Sequence, residues 1–447
     1  MSKHKFRNIR VPIDKDNVSI WRDESLCIKC GACKSVCKYN VCVYDYYDLD
    51  KTNDRAICIN CGQCSLVCPV RSIREVNDVP KLKKAISGDK IVIFQTSPAV
   101  RVSLGEEFNM EPGTNVEGKM VRALRELGAT YVFDTTFGAD MTVMEEASEL
   151  LERLESKKNL PMFTSCCPAW VKYVETFYPE FISNLSTVKS PISIEGSLIK
   201  NYFAKMNNID INNIISIAVT PCTAKKYEIK RREFNNDIDY VITTRELANW
   251  IREANIDFNG LKDSSYDDIM SRGSGAGLIF GNSGGVMEAS LRTAYHLLTG
   301  NNPKGKLLNF EEIRGLSNIK ETSVDIGDMS LKVAIINGTG DAKKVLEKIK
   351  SGEHYDFIEV MACEGGCVAG GGQPINHDKN IGEVKKERIK ALYETDINNK
   401  IRNSYENKDV VRVYREFLGE PLSKKAHKIL HTTYINRGDD LERKEGK

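Results

Sequence analysis

Nine of the fourteen cysteines in this 447-residue sequence fall between Cys27 and Cys68, a density that decides what the front of the chain can be. They occupy positions 27, 30, 33, 37, 42, 58, 61, 64 and 68, so the spacing C-x2-C-x2-C-x3-C occurs twice. A disulfide scaffold belongs to short secreted chains. This chain is long, and it opens on MSKHKFRNIRVPIDKDN, which lacks the apolar core of a secretion signal. The cysteines therefore read as metal ligands in a cytoplasmic protein. The 64 basic and 62 acidic residues nearly cancel, which gives no reason to expect nucleic acid or a membrane surface as a partner. No stretch approaches the roughly 18 apolar residues of a membrane helix. The length allows two or three domains.

Both runs match the bacterial ferredoxin spacing, in which three thiolates hold one 4Fe–4S cube and the fourth reaches the other. Cys27, Cys30, Cys33 and Cys68 are thus expected around one cluster, and Cys58, Cys61, Cys64 and Cys37 around a second. Gly31, Ala32 and Gly62 are expected to let backbone N–H groups approach the sulfurs. Two zinc knuckles also use C-x2-C, but they fit eight cysteines in two four-cysteine runs poorly. Lys38 follows Cys37 where a proline often stands. Cys42 is left as a small buried hydrophobe. The expectation is a small α+β, ferredoxin-like domain with two 4Fe–4S clusters over 21–85, after a polar extension at 1–20. A break at Ser87-Gly88-Asp89-Lys90 follows it.

From there the chain alternates apolar strands with amphipathic helices, the pattern of parallel α/β sheets. Strands are expected at 91–94, 131–133, 161–163, 214–219, 240–242, 333–336 and 357–360, and helices at 141–155, 245–254 and 342–350. A catalytic α/β domain of parallel sheets flanked by helices is expected over 90–381. A charged helical segment at 382–436 and a frayed polar tail at 437–447 follow.

The other five cysteines lie in three places, each directly after an apolar strand: TSCCPAW at 164–170, TPCTAKKYE at 220–228 and EVMACEGGCVAGGGQP at 359–374. Loops at the carboxyl ends of parallel strands converge on one crevice, where such proteins place ligands. Cys363 and Cys367 are four apart, which on a helical turn puts both on one face. Gly365, Gly366, Gly370, Gly371 and Gly372 leave room for something bulky against the backbone. Adjacent side chains diverge, so Cys166 and Cys167 do not share one cube comfortably. Four candidate ligands remain, Cys167, Cys222, Cys363 and Cys367, with one thiol spare.

These three stretches resemble the motifs of iron-only hydrogenases. TSPAVRVSLGEEF at 96–108, FGADMTVMEEA at 137–147 and FGNSGGVMEASLR at 280–292 extend the likeness across most of the chain. The resemblance implies an H-cluster between the lobes of the catalytic domain, a 4Fe–4S cube joined to a two-iron unit carrying CO, cyanide and a bridging azadithiolate. It implies that Cys167, Cys222, Cys363 and Cys367 hold the cube and that Cys367 also bridges to the two-iron unit. Lys225 matches a lysine that hydrogen-bonds one cyanide, a role suited to a compact ammonium, whereas Lys226 reads as a solvated surface lysine. Ser97, Pro98 and Ala99 match the loop around the other cyanide, and Met361 a methionine packed on the two-iron unit. Thr220 stands where many members have Met, placing a hydroxyl where they have an apolar wall.

Cys166 matches the family's proton donor, and Glu146, Ser186, Glu149 and Arg153 its relay to the surface. The helical pattern agrees: Val143, Ala147, Leu150, Leu151 and Leu154 form an apolar stripe, with Glu146, Glu149 and Arg153 on its flank. Alone, Glu149 and Arg153 read as a surface i,i+4 pair worth about 0.3 kcal/mol. The implied activity is reversible 2H⁺ + 2e⁻ ⇌ H₂, with H₂ and protons as substrates and electrons exchanged with a ferredoxin-like carrier. Separate maturation proteins install the two-iron unit in this family. A hydrogenase-related iron–sulfur assembly scaffold and a slow hydrogen sensor are the alternatives. A scaffold has no need of a proton relay, and Thr220 is the feature that favours a sensor.

Overall fold

The computed structural model describes residues 9–270 and 272–442. The cysteine-rich front forms a small unit around the antiparallel pair β1 (Ile20–Arg22) and β2 (Ile73–Glu75). Two short helices, Ala32–Tyr39 and Gln63–Leu66, start where Gly31 and Gly62 adopt the left-handed conformation, with φ of 84° and 70°. Val11, Ile20, Tyr44 and Ile73 form its core together with Cys33, Cys64 and Cys68. The expected polar extension therefore packs inward from Val11, while residues 1–8 lie outside the described residues. The helix Val79–Ala85 points the other way, burying Val79 and Leu82 in the core of the next unit.

All seven expected strands are present, in two four-stranded sheets. The first has the order β4-β3-β6-β7 and is wholly parallel, from β3 (Ile91–Thr96), β4 (Tyr131–Asp134), β6 (Ile214–Thr220) and β7 (Tyr240–Thr243). The second has the order β5-β10-β9-β8, from β5 (Met162–Phe163), β8 (Ile319–Ile326), β9 (Met329–Asn337) and β10 (Phe357–Met361). Its first three members run parallel, but β8 pairs antiparallel with β9. This strand, Ile-Lys-Glu-Thr-Ser-Val-Asp-Ile, is missing from the sequence expectation because it lies at a sheet edge and buries only Val324 and Ile326. By contrast β6 is buried along its whole length, as a central parallel strand must be.

The helix Thr135–Ser156 begins almost two turns before the expected start at Met141, because the Asp134 carboxylate accepts from Thr136 N at 3.1 Å and caps it. It runs between the sheets. Phe137 and Met141 pack with Phe133 of β4, Val143 with Met361 of β10, and Leu150 with Met162 of β5. The charged C-terminal segment is docked rather than solvated. Asp396, in the helix Ile381–Asn398, is fully buried 2.9 Å from Arg292, which also pairs with Glu288 at 2.7 Å. The expected frayed tail is ordered to Glu442: Gly438–Leu441 forms a short 3₁₀ turn, and Arg437 pairs with buried Glu175 at 2.9 Å. Residues 443–447 lie outside the described residues. Among the described residues no helix is long and apolar enough to cross a membrane.

Candidate metal centre

The carboxyl ends of β3 and β6 in one sheet face those of β5 and β10 in the other. Their loops enclose a cavity lined by Cys166, Cys167, Cys222, Cys363 and Cys367 together with Ser97, Pro98, Ala99, Thr220, Lys225 and Met361. Every residue that the motifs assigned to the cluster pocket thus meets in one space. Each cysteine is placed by local structure. Cys167 precedes Pro168 at the start of the helix Pro168–Phe177, and Cys222 sits in the turn between β6 and the helix Ala224–Glu228.

Cys363 and Cys367 are not on one helical turn. Gly365 and Gly366, with φ of 99° and 86°, fold the chain back between them, and Cys367 opens a 3₁₀ turn. Gly366 and Gly370 line the cavity and have a second role besides. A Cβ at Gly366 would stand 2.5 Å from Ser283 N, and one at Gly370 2.4 Å from Pro221 O, so they let backbone pack on backbone around the cavity.

The donor set fits an iron–sulfur cube. Backbone N–H groups of Ala362, Trp170 and Ala169 are directed at the Cys167 sulfur, and those of Lys225 and Ala224 at Cys222. Such hydrogen bonds stabilise thiolate ligands and tune a cluster. Among the described residues no three His, Cys, Asp or Glu side chains converge on a single-ion site. The thiols of Cys167, Cys222, Cys363 and Cys367 line one space, which suits a cluster larger than a single ion.

Lys225 is buried, which works against its charge, but the Glu228 carboxylate holds its pKa above the ordinary value. Its Nζ donates to Cys166 O at 3.0 Å and to Glu228 Oε2 at 2.9 Å. Lys226 is not the solvated lysine expected: it is 2% exposed and pairs with Asp78 at 2.7 Å and Glu246 at 3.1 Å. Its four-carbon stem spans the seam between the front of the chain and the first sheet.

The residues of the expected proton route lie together and are buried. Burial pushes the Cys166 thiol well up, and the Glu146 charge adds to this. Burial first, and then the Glu149 charge, pushes Glu146 up to about 8, and its Oε2 has no partner. Ser186 Oγ donates to Glu149 Oε2 at 2.8 Å and is near enough to Glu146 to offset part of that rise. Arg153 donates to Glu149 Oε1 at 2.7 Å and to the carbonyls of Asn184 and Leu185. The pair is therefore far from a solvated surface pair, since both residues are buried.

At the front, Cys37, Cys58, Cys61 and Cys64 line one cavity, the set in which the fourth cysteine crosses over. Cys33 and Cys68 share the neighbouring core, with Cys27 half-buried and Cys30 exposed. Asn60 N donates to Cys58 Sγ at 3.3 Å, and Ser72 N to Cys68 Sγ at 3.2 Å. Cys42 is buried, 3.7 Å from Tyr39 O, and Lys38 pairs with Asp45. Gly62 has a role that spacing did not reveal: a Cβ there would stand 2.4 Å from Thr223 Oγ1 and 3.0 Å from Gly371 Cα. Gln63 and Thr223 were also missed. Gln63 Nε2 donates to Cys363 Sγ at 3.1 Å, and Thr223 Oγ1 donates to Asn60 O at 2.7 Å. The two cysteine nests thus touch through hydrogen bonds. The only signal in the sequence was that both residues adjoin a cysteine.

Comparison with known proteins agrees. Residues 90–371 match the family described as iron only hydrogenase large subunit, C-terminal domain, residues 382–437 match iron hydrogenase small subunit, and residues 52–74 match a 4Fe-4S binding domain. The chain is 44% identical to iron hydrogenase 1 of Clostridium pasteurianum, covering 94% of this chain and 77% of that protein. It is 42% identical to the NADP-reducing hydrogenase subunit HndD of Solidesulfovibrio fructosivorans, covering 94% and 75%. A periplasmic [Fe] hydrogenase large subunit from Nitratidesulfovibrio vulgaris is 46% identical over 66% of this chain and 72% of its own length. More distantly, Protein NAR1 of Arabidopsis thaliana is 30% identical over 80% of this chain and 81% of its own, and a cytosolic Fe-S cluster assembly factor of Xenopus tropicalis is 31% identical over 77% and 74%. Among solved structures, an apo [FeFe]-hydrogenase of Chlamydomonas reinhardtii superposes with a TM-score of 0.72 at 38% identity, over 81% of this chain and 100% of that one. With its cysteine-ringed cavity between two sheets and its cluster-binding front, the chain belongs to the iron-only hydrogenase family, whose cofactors are the H-cluster and 4Fe–4S clusters.

Proposed function

We propose that this protein is a ferredoxin-linked hydrogenase that catalyses 2H⁺ + 2e⁻ ⇌ H₂ in both directions. The observation that carries the reading is the single cavity in which four candidate ligands, a fifth thiol and a buried lysine meet. Cys167, Cys222, Cys363 and Cys367 would hold the cube, and Cys367 would also be a ligand of the two-iron unit. When bound, the H-cluster supplies the metal at which protons and electrons combine. The rest falls to the chain. Lys225 offers an ammonium, fixed by Glu228, to one cyanide. Ser97, Pro98 and Ala99 would surround the other, Met361 would give an apolar wall, and Thr220 would bring a hydroxyl.

Protons pass through Cys166, Glu146, Ser186, Glu149 and Arg153. A carboxyl pushed up to about 8 stays protonated at neutral pH, and so can restore the proton that Cys166 gives up. Electrons enter from a ferredoxin-like carrier through the clusters of Cys27, Cys30, Cys33 and Cys68 and of Cys58, Cys61, Cys64 and Cys37. The front domain (21–85), catalytic domain (90–381) and C-terminal segment (382–436) divide these tasks. Maturation proteins supply the two-iron unit. We place the protein in the cytoplasm, which suits fourteen free thiols.

The assembly-factor relatives favour a scaffold as the second reading. Against it stands Glu146, a buried carboxyl whose Oε2 has no partner and which lies beside a spare thiol, an arrangement that costs stability and has no use in a scaffold. The test is an infrared spectrum of the matured protein alongside a hydrogen assay. CO and cyanide bands with turnover are expected, and their absence from properly matured protein overturns the enzyme reading.

A further inference from the structure

The proton route as described ends on Glu149 and Arg153, yet Glu149 has a further partner. Thr187 Oγ1 lies 3.2 Å from Glu149 Oε1 and 2.8 Å from His431 Nδ1, while His431 Nε2 lies 3.0 Å from Glu145 Oε2. These residues come from three parts of the chain and are held by backbone bonding: Thr432 N donates to Thr187 O at 2.8 Å, and Val188 bridges to His431. Glu145 also accepts from Tyr414 OH at 2.6 Å and Leu422 N at 2.9 Å. Arg153 faces the Glu149 end. At the other end the exposed His427 ring lies 4.1 Å from that of His431.

Counting hydrogens shows what this chain can do. The three contacts Glu149–Thr187, Thr187–His431 and His431–Glu145 each need one hydrogen. The threonine hydroxyl provides one and a neutral imidazole another. The Thr187 backbone N–H, which donates to both Glu149 oxygens, holds the hydroxyl against that carboxyl, and the third position has room for one extra proton that two carboxylates and a ring can share. We propose that Thr187 and His431 form a side branch of the relay that stores one proton beside Glu149 and passes it back through the Thr187 hydroxyl.

The step balances without another reactant. With the proton on Glu149, its O–H points to Thr187 Oγ1, the threonine O–H to His431 Nδ1, and the imidazole keeps its own proton on Nε2 against Glu145. In the transfer the Glu149 O–H breaks as a new Thr187 O–H forms. The former threonine O–H breaks as an N–H forms at His431 Nδ1, and no electron moves. The ring then donates from Nδ1 to the Thr187 hydroxyl and from Nε2 to Glu145. Thr187 and His431 act on the reaction only through Glu149 and are positioning residues, so the branch rests on the proposed relay.

The test uses the matured full-length protein. Thr187→Val and His431→Phe, each breaking the branch, are compared with Thr187→Ser, which keeps the hydroxyl. Two quantities are measured: the infrared band of protonated carboxyl groups during reduction, with the Glu149 component identified by its loss in Glu149→Gln, and the solvent deuterium isotope effect on hydrogen evolution. In Thr187→Val and His431→Phe the Glu149 band should grow and the isotope effect change, and Thr187→Ser should restore both. Should either variant fail to fold, His431→Gln, which hydrogen-bonds but carries no exchangeable charge, is expected to behave as His431→Phe. A Glu149 band and isotope effect unmoved in the variants, or unrestored by serine, overturn the branch while wild-type turnover leaves the hydrogenase reading standing. Wild type lacking CO and cyanide bands overturns that reading itself.

Discussion

Gln63 and Cys363 lie 300 residues apart in sequence, and the Gln63 side-chain amide donates to the Cys363 sulfur at 3.1 Å while its second hydrogen bond, at 3.0 Å, goes to Ala369 O. The donor belongs to the loop of Cys61 and Cys64, and the acceptor to the catalytic cavity. Hydrogen bonds to cluster sulfurs stabilise the reduced state and raise a reduction potential. Gln63→Leu should therefore lower the potential of the catalytic cube and leave the front clusters' iron content intact. A redox titration followed by paramagnetic resonance checks both.

Removing residues 1–76 tests the electron path. The cut falls before Val79 and Leu82, which belong to the core of the following domain. Hydrogen turnover with a small artificial reductant should persist in the matured remainder, whereas turnover with ferredoxin should be largely lost. Equal use of ferredoxin by both proteins would contradict the assigned route.

Cys166→Ala separates chemistry from ligation. The substitution swaps a buried thiol beside Glu146 for an inert methyl and touches none of the four assigned ligands. Infrared bands of the H-cluster should survive, while evolution and uptake both fall by about 10² to 10⁴, the usual worth of a positioned proton donor.

Glu146 gives a pH dependence with a definite sign. Its pKa is 4.5 ordinarily and about 8 when buried in the fold. Between those values the unfolded chain binds fewer protons than the native one, so this group lowers stability as pH rises through that window. Glu146→Gln should flatten the decline in melting temperature over the same range. Part of the slope should remain, because burial also pushes Glu359 up to about 7.

Asp396→Ala should destabilise the protein by about 3–5 kcal/mol, because it strips the fully buried Arg292 of one of its two carboxylates. Asp396→Asn, which keeps a hydrogen-bond acceptor, should cost less. Denaturant unfolding of the two variants provides the comparison.

Much of this protein is written locally. Thiolates two and three residues apart can wrap a cluster whatever surrounds them, so the ferredoxin-like runs are legible without a fold. Continuous apolar runs such as Ile214–Thr220 announce buried parallel strands in the same way, and the cysteines that follow three of them point to one crevice. Other features depend on partners far away in the chain. The edge strand β8 reads as polar because one side faces water, and Lys226 reads as solvated until Asp78 and Glu246 close around it. The turn between Cys363 and Cys367 follows from backbone pressing on Ser283, not from their spacing. Gln63, Thr187 and His431 are ordinary polar residues in sequence. Only folding removes the water from around them, and burial then obliges each to find its partner.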